Sequence, residues 1–263
     1  MLDGSKYILF TIDLEEFDLP LEYGISLPSG RMMSVTNKGL SRIYDLLEKH
    51  NIRATFFITS GYAEANAGMV RKIAEKHEIS SHSHSHTIFH PGDPGKSKNI
   101  LEEISRQKIN GFRMPRMAKT DLNELKQYGY SYDASVNPTL VPFRYNMLSS
   151  PRTLFRDKAT GLPVVPVSVS PVIRFPLFWL SFKNLPFGIF AFLCKRTLDK
   201  DKYLHLYFHS WEFADIRHFR IPFYIRRKDG DQLTNLMERL LLSLKRQGEF
   251  IGITEFLQIR KMI

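Results

Sequence analysis

Residues 6–13, KYILFTID, form a short apolar run that ends in polar side chains, the pattern of a buried strand. Over 36–51, Leu40, Ile43, Leu46 and Leu47 recur at helical spacing, so a helix is expected there with Thr36 as its N-cap. RATFFIT (53–59) reads as a second strand, followed by a helix over 62–76 and a short strand at 77–80. Helix 97–109, strand 111–114, helix 120–128 and strand 130–136 continue the alternation. Further on, 162–169 and 202–209 read as strands, and Leu233, Leu236, Met237, Leu240, Leu241 and Leu244 mark one face of a helix over 231–247. EFIGIT (249–254) closes the series. Strands separated mostly by helices predict an α/β fold: a distorted (β/α) barrel of seven or eight mainly parallel strands. No linker-like stretch interrupts the pattern, so 1–263 is expected to be a single domain.

The chain of 263 residues is 43% hydrophobic, enough for a large core, and its length suits one barrel of roughly 250 residues. Cys194 is its one cysteine, which excludes an intrachain disulfide and a cysteine-rich zinc site, so any metal must be held by histidines and carboxylates. The N-terminal stretch MLDGSKYILFTID lacks the pattern of a secretory leader, and a cytoplasmic location is expected. The net charge of +10 favours anionic partners, but the basic residues are dispersed and the RRK cluster at 226–228 is too short for a nucleic-acid arm, so no nucleic-acid partner is expected. An aromatic-rich segment at about 171–198 has three readings: barrel core, an aromatic wall for sugar stacking, or a peripheral contact with an anionic membrane surface flanked by Lys195 and Arg196. Its longest charge-free run, 184–194, is too short to span a bilayer.

Polar residues fall where a barrel needs them. Asp13 ends the first strand, His82 follows the third, Arg113 and Asp133 lie in the fourth and fifth, and His209 ends a late one. Barrel chemistry gathers at the C-terminal ends of strands, where the loops converge. Asp13 and Glu15, two apart, share one side of an extended segment, whereas Glu16 and Asp18 would point away. In SSHSHSHT (80–87), an extended chain puts His82, His84 and His86 on one face, whereas a helical turn groups only His82 and His86. Spacing leaves both conformations open.

The stretch RATFFITSGYAEANAGMVRKIAEKHEISSHSHSHT (53–87) resembles the second strand, helix and H-[ST]-x-x-H motif of the metal-dependent polysaccharide deacetylases, carbohydrate esterase family 4. The resemblance implies His82 and His86 as metal ligands, with Ser83 in the [ST] slot and His84 as spacer. TIDLE (11–15) occupies the place of the family's T-F-D-D-G motif, which implies Asp13 as general base and Glu15 as the metal carboxylate. FRMPRM (112–117) sits where R-x-P-x-G belongs; it implies that Arg113 orients Asp13 and that a backbone N–H near position 116 meets the oxyanion. Arg116 and Met117 depart from that motif, whose glycine is missing. LHLYFHSWEF (204–213) implies His209 as general acid, tuned by Asp133 or Asp201. Arg116, Asp133 and Trp211 are expected at the substrate. The implied cofactor is one divalent ion, zinc by ligand type. The implied reaction removes N-acetyl or O-acetyl groups from a sugar in polysaccharide or cell-surface glycan metabolism. Alternatives are an amidohydrolase on a small non-sugar amide, and a non-catalytic carbohydrate-binding relative that has lost the metal.

Overall fold

The computed structural model describes residues 4–142 and 144–263. Its strands are β1 (Tyr7–Leu14), β2 (Thr55–Ile58), β3 (Glu78–Ser81), β4 (Gly111–Phe112), β5 (Tyr132–Asp133), β6 (Leu140–Val141), β7 (Tyr145–Asn146), β8 (Phe155–Arg156), β9 (Pro163–Val164), β10 (Tyr203–His209) and β11 (Glu249–Phe250). Its helices are α1 (Ser29–Lys49), α2 (Ser60–Ala65), α3 (Ala67–Ala74), α4 (Asp93–Ser105), α5 (Leu122–Gln127), α6 (Trp179–Asn184), α7 (Phe187–Asp201), α8 (Phe223–Arg226), α9 (Gly230–Lys245) and α10 (Ile253–Ile259). One sheet runs β10-β1-β2-β3-β4-β5-β9-β8, with β11 also on β1, and a separate hairpin pairs β6 with β7. Every pairing in the large sheet is parallel except β8 with β9. The result is the expected α/β architecture, a curled, mostly parallel half-barrel.

The register brings the strand ends together. Asp13 pairs in register with His209 on one side and with Phe57 on the other. Ser81 pairs with Phe112, and Phe112 with Asp133. Side chains around Ile8, Phe10, Ile12, Phe56, Leu206 and Phe208 are fully buried beneath the covering helices, including Leu40, Ile43 and Leu47 of α1 and the Leu233, Leu240, Leu241 face of α9. Their burial supplies roughly 1.5–3 kcal/mol per large side chain against chain entropy.

Several elements differ from expectation for identifiable reasons. Helix α1 begins at Ser29, behind Pro28, rather than at Thr36. Thr36 is therefore no N-cap: it lies inside the helix and its hydroxyl donates to the Glu15 carbonyl at 2.8 Å. Helix 62–76 is broken into α2 and α3 at Asn66 (φ −134°, ψ 37°). Helix α4 starts at Asp93, where left-handed Gly92 and Pro94 open it. Strand 162–169 shrinks to 163–164, because Pro166 has no N–H for a ladder. The chain beyond still bridges the sheet: the Val167 N–H donates to the Val136 carbonyl (2.8 Å) and the Ser168 N–H to the His205 carbonyl (2.9 Å). Likewise 249–254 is strand only at 249–250, since Gly252 caps α10.

The segment 171–198 is divided between core and surface. Leu177, Phe178, Trp179, Phe182, Phe190 and Cys194 are buried, leaving Val172, Ile173, Ile189 and Phe192 exposed. No helix among the described residues is long and apolar enough to cross a membrane.

Candidate metal and catalytic centre

The C-terminal ends of β1, β3, β4 and β10 open into a cavity of about 300 Å3 whose walls include Asp13, Glu15, His82, His86, His209 and Trp211. Three donors meet within it. Glu15 Oε2 lies 3.1 Å from His82 Nε2 and 3.0 Å from His86 Nε2, and one donor atom from each of the three residues lies within 4.8 Å of the other two. All three side chains are buried.

Neither simple conformation considered for 80–87 is the one adopted. Strand β3 ends at Ser81, and Ser83 takes a left-handed φ of 64°. That turn breaks the alternation and sends His84 away from the cavity. His84 instead meets Ser60 Oγ through Nδ1 (2.8 Å) and Lys96 Nζ through Nε2 (2.7 Å). The Ser83 and His84 carbonyls accept from the Ser60 and Gly61 amides, each at 3.0 Å, which fixes the loop. His82 and His86 are thereby left facing each other with ring centroids 5.7 Å apart.

The remaining ring nitrogens decide the tautomers. His82 Nδ1 lies 2.8 Å from the Arg113 carbonyl, to which it can only donate, so neutral His82 presents a bare Nε2 to Glu15. His86 Nδ1 sits 2.8 Å from Asp18 Oδ2. Two histidines backed by acceptors, beside one carboxylate, form a donor set that suits a divalent cation with an open position for water. For His86, burial opposes the charged ring, but Glu15 and Asp18 outweigh it and raise the pKa to about 10. Burial likewise opposes the Glu15 carboxylate, yet His86 and His82 hold its pKa well below the usual carboxylate range. The pocket thus favours a positive charge beside Glu15, whether a proton or a metal ion carries it.

Asp18 was expected to point away from the site. Its backbone turns first, with the Asp18 N–H donating to the Glu16 carbonyl at 2.7 Å, so the strand alternation ends and Asp18 reaches His86. Glu16 does turn outward, accepting from the Thr59 hydroxyl at 3.3 Å.

Asp13 is held from one side. Its Oδ1 accepts from Arg113 Nη1 at 2.5 Å, whereas its Oδ2 is 4.0 Å from His82 Nε2. Arg113 is fully buried and, besides Asp13, donates to Thr11 Oγ1 (3.0 Å), the Ala134 carbonyl (3.2 Å) and His205 Nε2 (2.8 Å). Its guanidinium also lies 3.9 Å from the Phe57 ring centroid. His205, which the sequence reading missed, can accept from Arg113 only while unprotonated; burial and the Arg113 charge lower its pKa well below the ordinary value.

His209 faces the cavity with Nε2 4.0 Å from Glu15 Oε1. Its partner is neither Asp133 nor Asp201. Asp201 pairs with Arg152, and Asp133 is buried against the Ser135 hydroxyl and N–H, outside the cavity walls. Glu212 takes the role: Oε1 lies 3.0 Å from His209 Nδ1 and accepts the His209 N–H at 2.7 Å. The sequence signal was the i, i+3 spacing after the strand, which the 3-10 turn Ser210–Phe213 makes into a contact. Burial disfavours the charged His209 ring, but Glu212, Glu15 and Asp13 together raise its pKa. Trp211 stacks on that ring with centroids 4.8 Å apart, and its Nε1 donates to Glu15 Oε1 at 3.2 Å. It therefore orients the Glu15 and His209 side chains while lining the cavity.

Arg116 also lines the cavity, but its guanidinium is committed to Asp18 (3.3 Å) and Glu22 (3.2 Å). Met117, at the position of the missing motif glycine, has a left-handed φ of 52°. A side chain there costs about 1–2 kcal/mol, offset here by burial of the Met117 side chain. Near the expected oxyanion contact, the Met117 N–H donates to the Met114 carbonyl (3.1 Å) and the Met114 N–H to Ser135 Oγ (2.8 Å).

The family model "Polysaccharide deacetylase" matches residues 29–132. The chain is 31% identical over 72 residues to the uncharacterized protein YlxY of Bacillus subtilis (strain 168), a stretch covering 27% of this chain and 23% of that protein. The matched part thus spans about a quarter of the curated relatives' length. Among solved structures, a Mycobacterium smegmatis protein described as a polysaccharide deacetylase has a TM-score of 0.65 at 16% identity, covering 99% of this chain and 92% of that one. The Puue allantoinase has a TM-score of 0.67 at 14% identity, covering 98% and 91%. At such identity these structures establish the fold. The chain resembles the polysaccharide deacetylases, in its matched segment and in the fold that surrounds it.

Proposed function

We propose that the protein is a metal-dependent hydrolase that removes acetyl groups, N-linked in the first instance, from a sugar of a polysaccharide or cell-surface glycan. One observation carries the reading: a Glu15–His82–His86 donor set lies between an arginine-held aspartate and a glutamate-held histidine in a single cavity. A divalent cation held by Glu15, His82 and His86, zinc by ligand type, supplies Lewis-acid polarisation of the acyl carbonyl and makes water more acidic.

The chain's own groups do the rest. Arg113 occupies Asp13 Oδ1 and leaves Oδ2, on the His82 side, to take a proton from the attacking water. His209 Nε2 faces the cavity, and Glu212 on Nδ1 keeps the ring oriented and favours its protonated form. It therefore donates to the departing nitrogen, which leaves poorly unless protonated. Apolar walls, including Met114, Phe178 and Tyr207, restrict water around these groups.

The test is acetate release from an N-acetylhexosamine oligosaccharide, with a small aliphatic amide in parallel. Wild-type protein should release acetate from the sugar, and Asp13→Asn should retain the metal yet lose at least about 100-fold in rate. Full activity in Asp13→Asn would remove the base assignment. Turnover of the amide alone would reassign the substrate to a small non-sugar amide.

A further inference from the structure

The cavity opens in an unusual piece of surface. On one side the β6–β7 hairpin contributes Val141 and Tyr145 to the cavity wall, while Leu140 and Leu148 face outward. Arg174 stitches the loop 171–174 to this hairpin region: its guanidinium donates to the Leu148 (2.6 Å) and Ser150 (2.9 Å) carbonyls, and its own carbonyl accepts from the Thr139 hydroxyl (2.9 Å). Val172 and Ile173, on that loop, are 87% and 75% exposed. On another side, α8 presents Phe223, 64% exposed, next to Tyr224, which lines the cavity and interacts with Tyr23 through its hydroxyl. Asn184 of α6 holds α8 in place by donating to the Tyr224 carbonyl at 2.8 Å.

Large apolar side chains held outward on anchored loops are costly to leave in water, and this set rims one opening. The charge around them is mainly positive, although Glu22 of the cavity wall pairs with Arg144 and Arg116, and Arg217 pairs with Asp215 and Asp229. Residues 139–156, 171–198 and 217–228 contain no Asp or Glu, whereas 217–228 alone carries Arg217, Arg220, Arg226, Arg227 and Lys228. The Arg227 guanidinium lies 5.4 Å from the Phe223 ring centroid, placing a cation beside an exposed aromatic. Exposed aliphatic and aromatic side chains on segments that carry cations and no carboxylates of their own match a lipid–water boundary that carries negative headgroups. A second copy of the chain fits poorly, because a two-fold contact would set these basic segments against themselves.

We propose that the cavity rim, built from residues 139–142, 144–150 and 171–174 and from α8, docks on an anionic bilayer surface and turns the cavity toward groups held at that boundary. The proposal stands on the exposed face and is independent of the hydrolytic reading, so the two can fail separately. Flotation of the full chain with vesicles of equal parts phosphatidylcholine and phosphatidylglycerol tests it, with phosphatidylcholine vesicles alone as the comparison. The protein should float with the anionic vesicles, bind the neutral ones several-fold less, and lose binding progressively as salt rises. The double substitution Ile173→Ser with Phe223→Ser should cut the bound fraction about tenfold while the melting temperature stays unchanged. Wild-type protein that stays unbound would overturn the proposal, as would binding that the double substitution leaves intact. A dimer in sedimentation that the same substitution dissolves would assign the face to a second copy, which also overturns it.

Discussion

At the scale of single residues, the buried charges are arranged in linked pairs, and one of them reaches outside the cavity. Lys183 is fully buried, with Nζ 3.7 Å from Glu212 Oε2 and 6.0 Å from the ring centroids of Trp179 and Trp211. Burial lowers its pKa, with Glu212 and Asp229 acting in the opposite direction. Removing the cation leaves Glu212 Oε2 buried without a counter-charge, while Oε1 keeps its contacts with His209. Lys183→Met should therefore destabilise the fold by about 3–5 kcal/mol, the usual cost of breaking a buried pair from one side. Chemical denaturation would measure this, and a loss below about 1 kcal/mol would show that the pair carries little. Much at this scale was legible in the sequence: Asp13, Glu15, His82, His86, Arg113 and His209 all converge. The supporting residues were not. Asp18 was missed because a turn after Glu16 reverses the strand alternation, and Glu212 because its role depends on a 3-10 turn that apolar periodicity does not report. His205 looks like any alternating strand residue until Arg113 is placed beside it.

At the scale of elements, the site depends on how closely α1 approaches the turn after β10. A Cβ built on Gly39 would lie 2.1 Å from the Ser210 carbonyl oxygen and 2.9 Å from the Ala214 nitrogen, both backbone atoms. Only glycine lets α1 lie against Ser210–Phe213, the turn that carries Trp211 and Glu212. Gly39→Ala gains the usual helix propensity of about 1 kcal/mol but must push that turn outward. The expected outcome is a net loss of stability together with weaker metal binding, read by thermal melting and a zinc titration; a more stable variant with normal zinc affinity would contradict the packing account. Long periodic elements were the readable ones: α9 and β10 fall within a residue or two of their expected bounds. The short strands β4, β5, β9 and β11 were over-extended: Pro166 and Gly252 end the ladders of β9 and β11 early, and past β4 and β5 single hydrogen bonds from Arg113 and Ala134 continue the sheet.

At the scale of the whole molecule, stability should depend on pH through His77, which packs beside Tyr44 of α1 and Phe56 of β2. Its Nδ1 accepts the Ala54 N–H at 3.3 Å, a bond the protonated ring cannot make. Burial is the largest cause that lowers its pKa, from 6.5 to about 4. Because the folded value lies below the unfolded one, the unfolded chain binds the extra proton first. His77 therefore leaves stability intact above about pH 6.5 and removes it progressively as the pH falls toward 4. Denaturation curves across that window should show a shallower decline for His77→Phe than for wild type; parallel curves would exclude His77 as the source. The global charge of +10, by contrast, says nothing of placement; the fold brings residues of three acid-free segments to the cavity wall, beside Asp18 and Glu22.

The central claim is that His82 and His86, with Glu15, hold one cation while His84 between them takes no part. Zinc bound per chain after equilibrium dialysis, compared across single alanine substitutions, tests it most directly. About one ion per chain is expected for wild type and for His84→Ala, with at least a 100-fold loss of affinity in His82→Ala and in His86→Ala. Zinc bound equally by all four proteins, or lost in His84→Ala alone, would contradict the account.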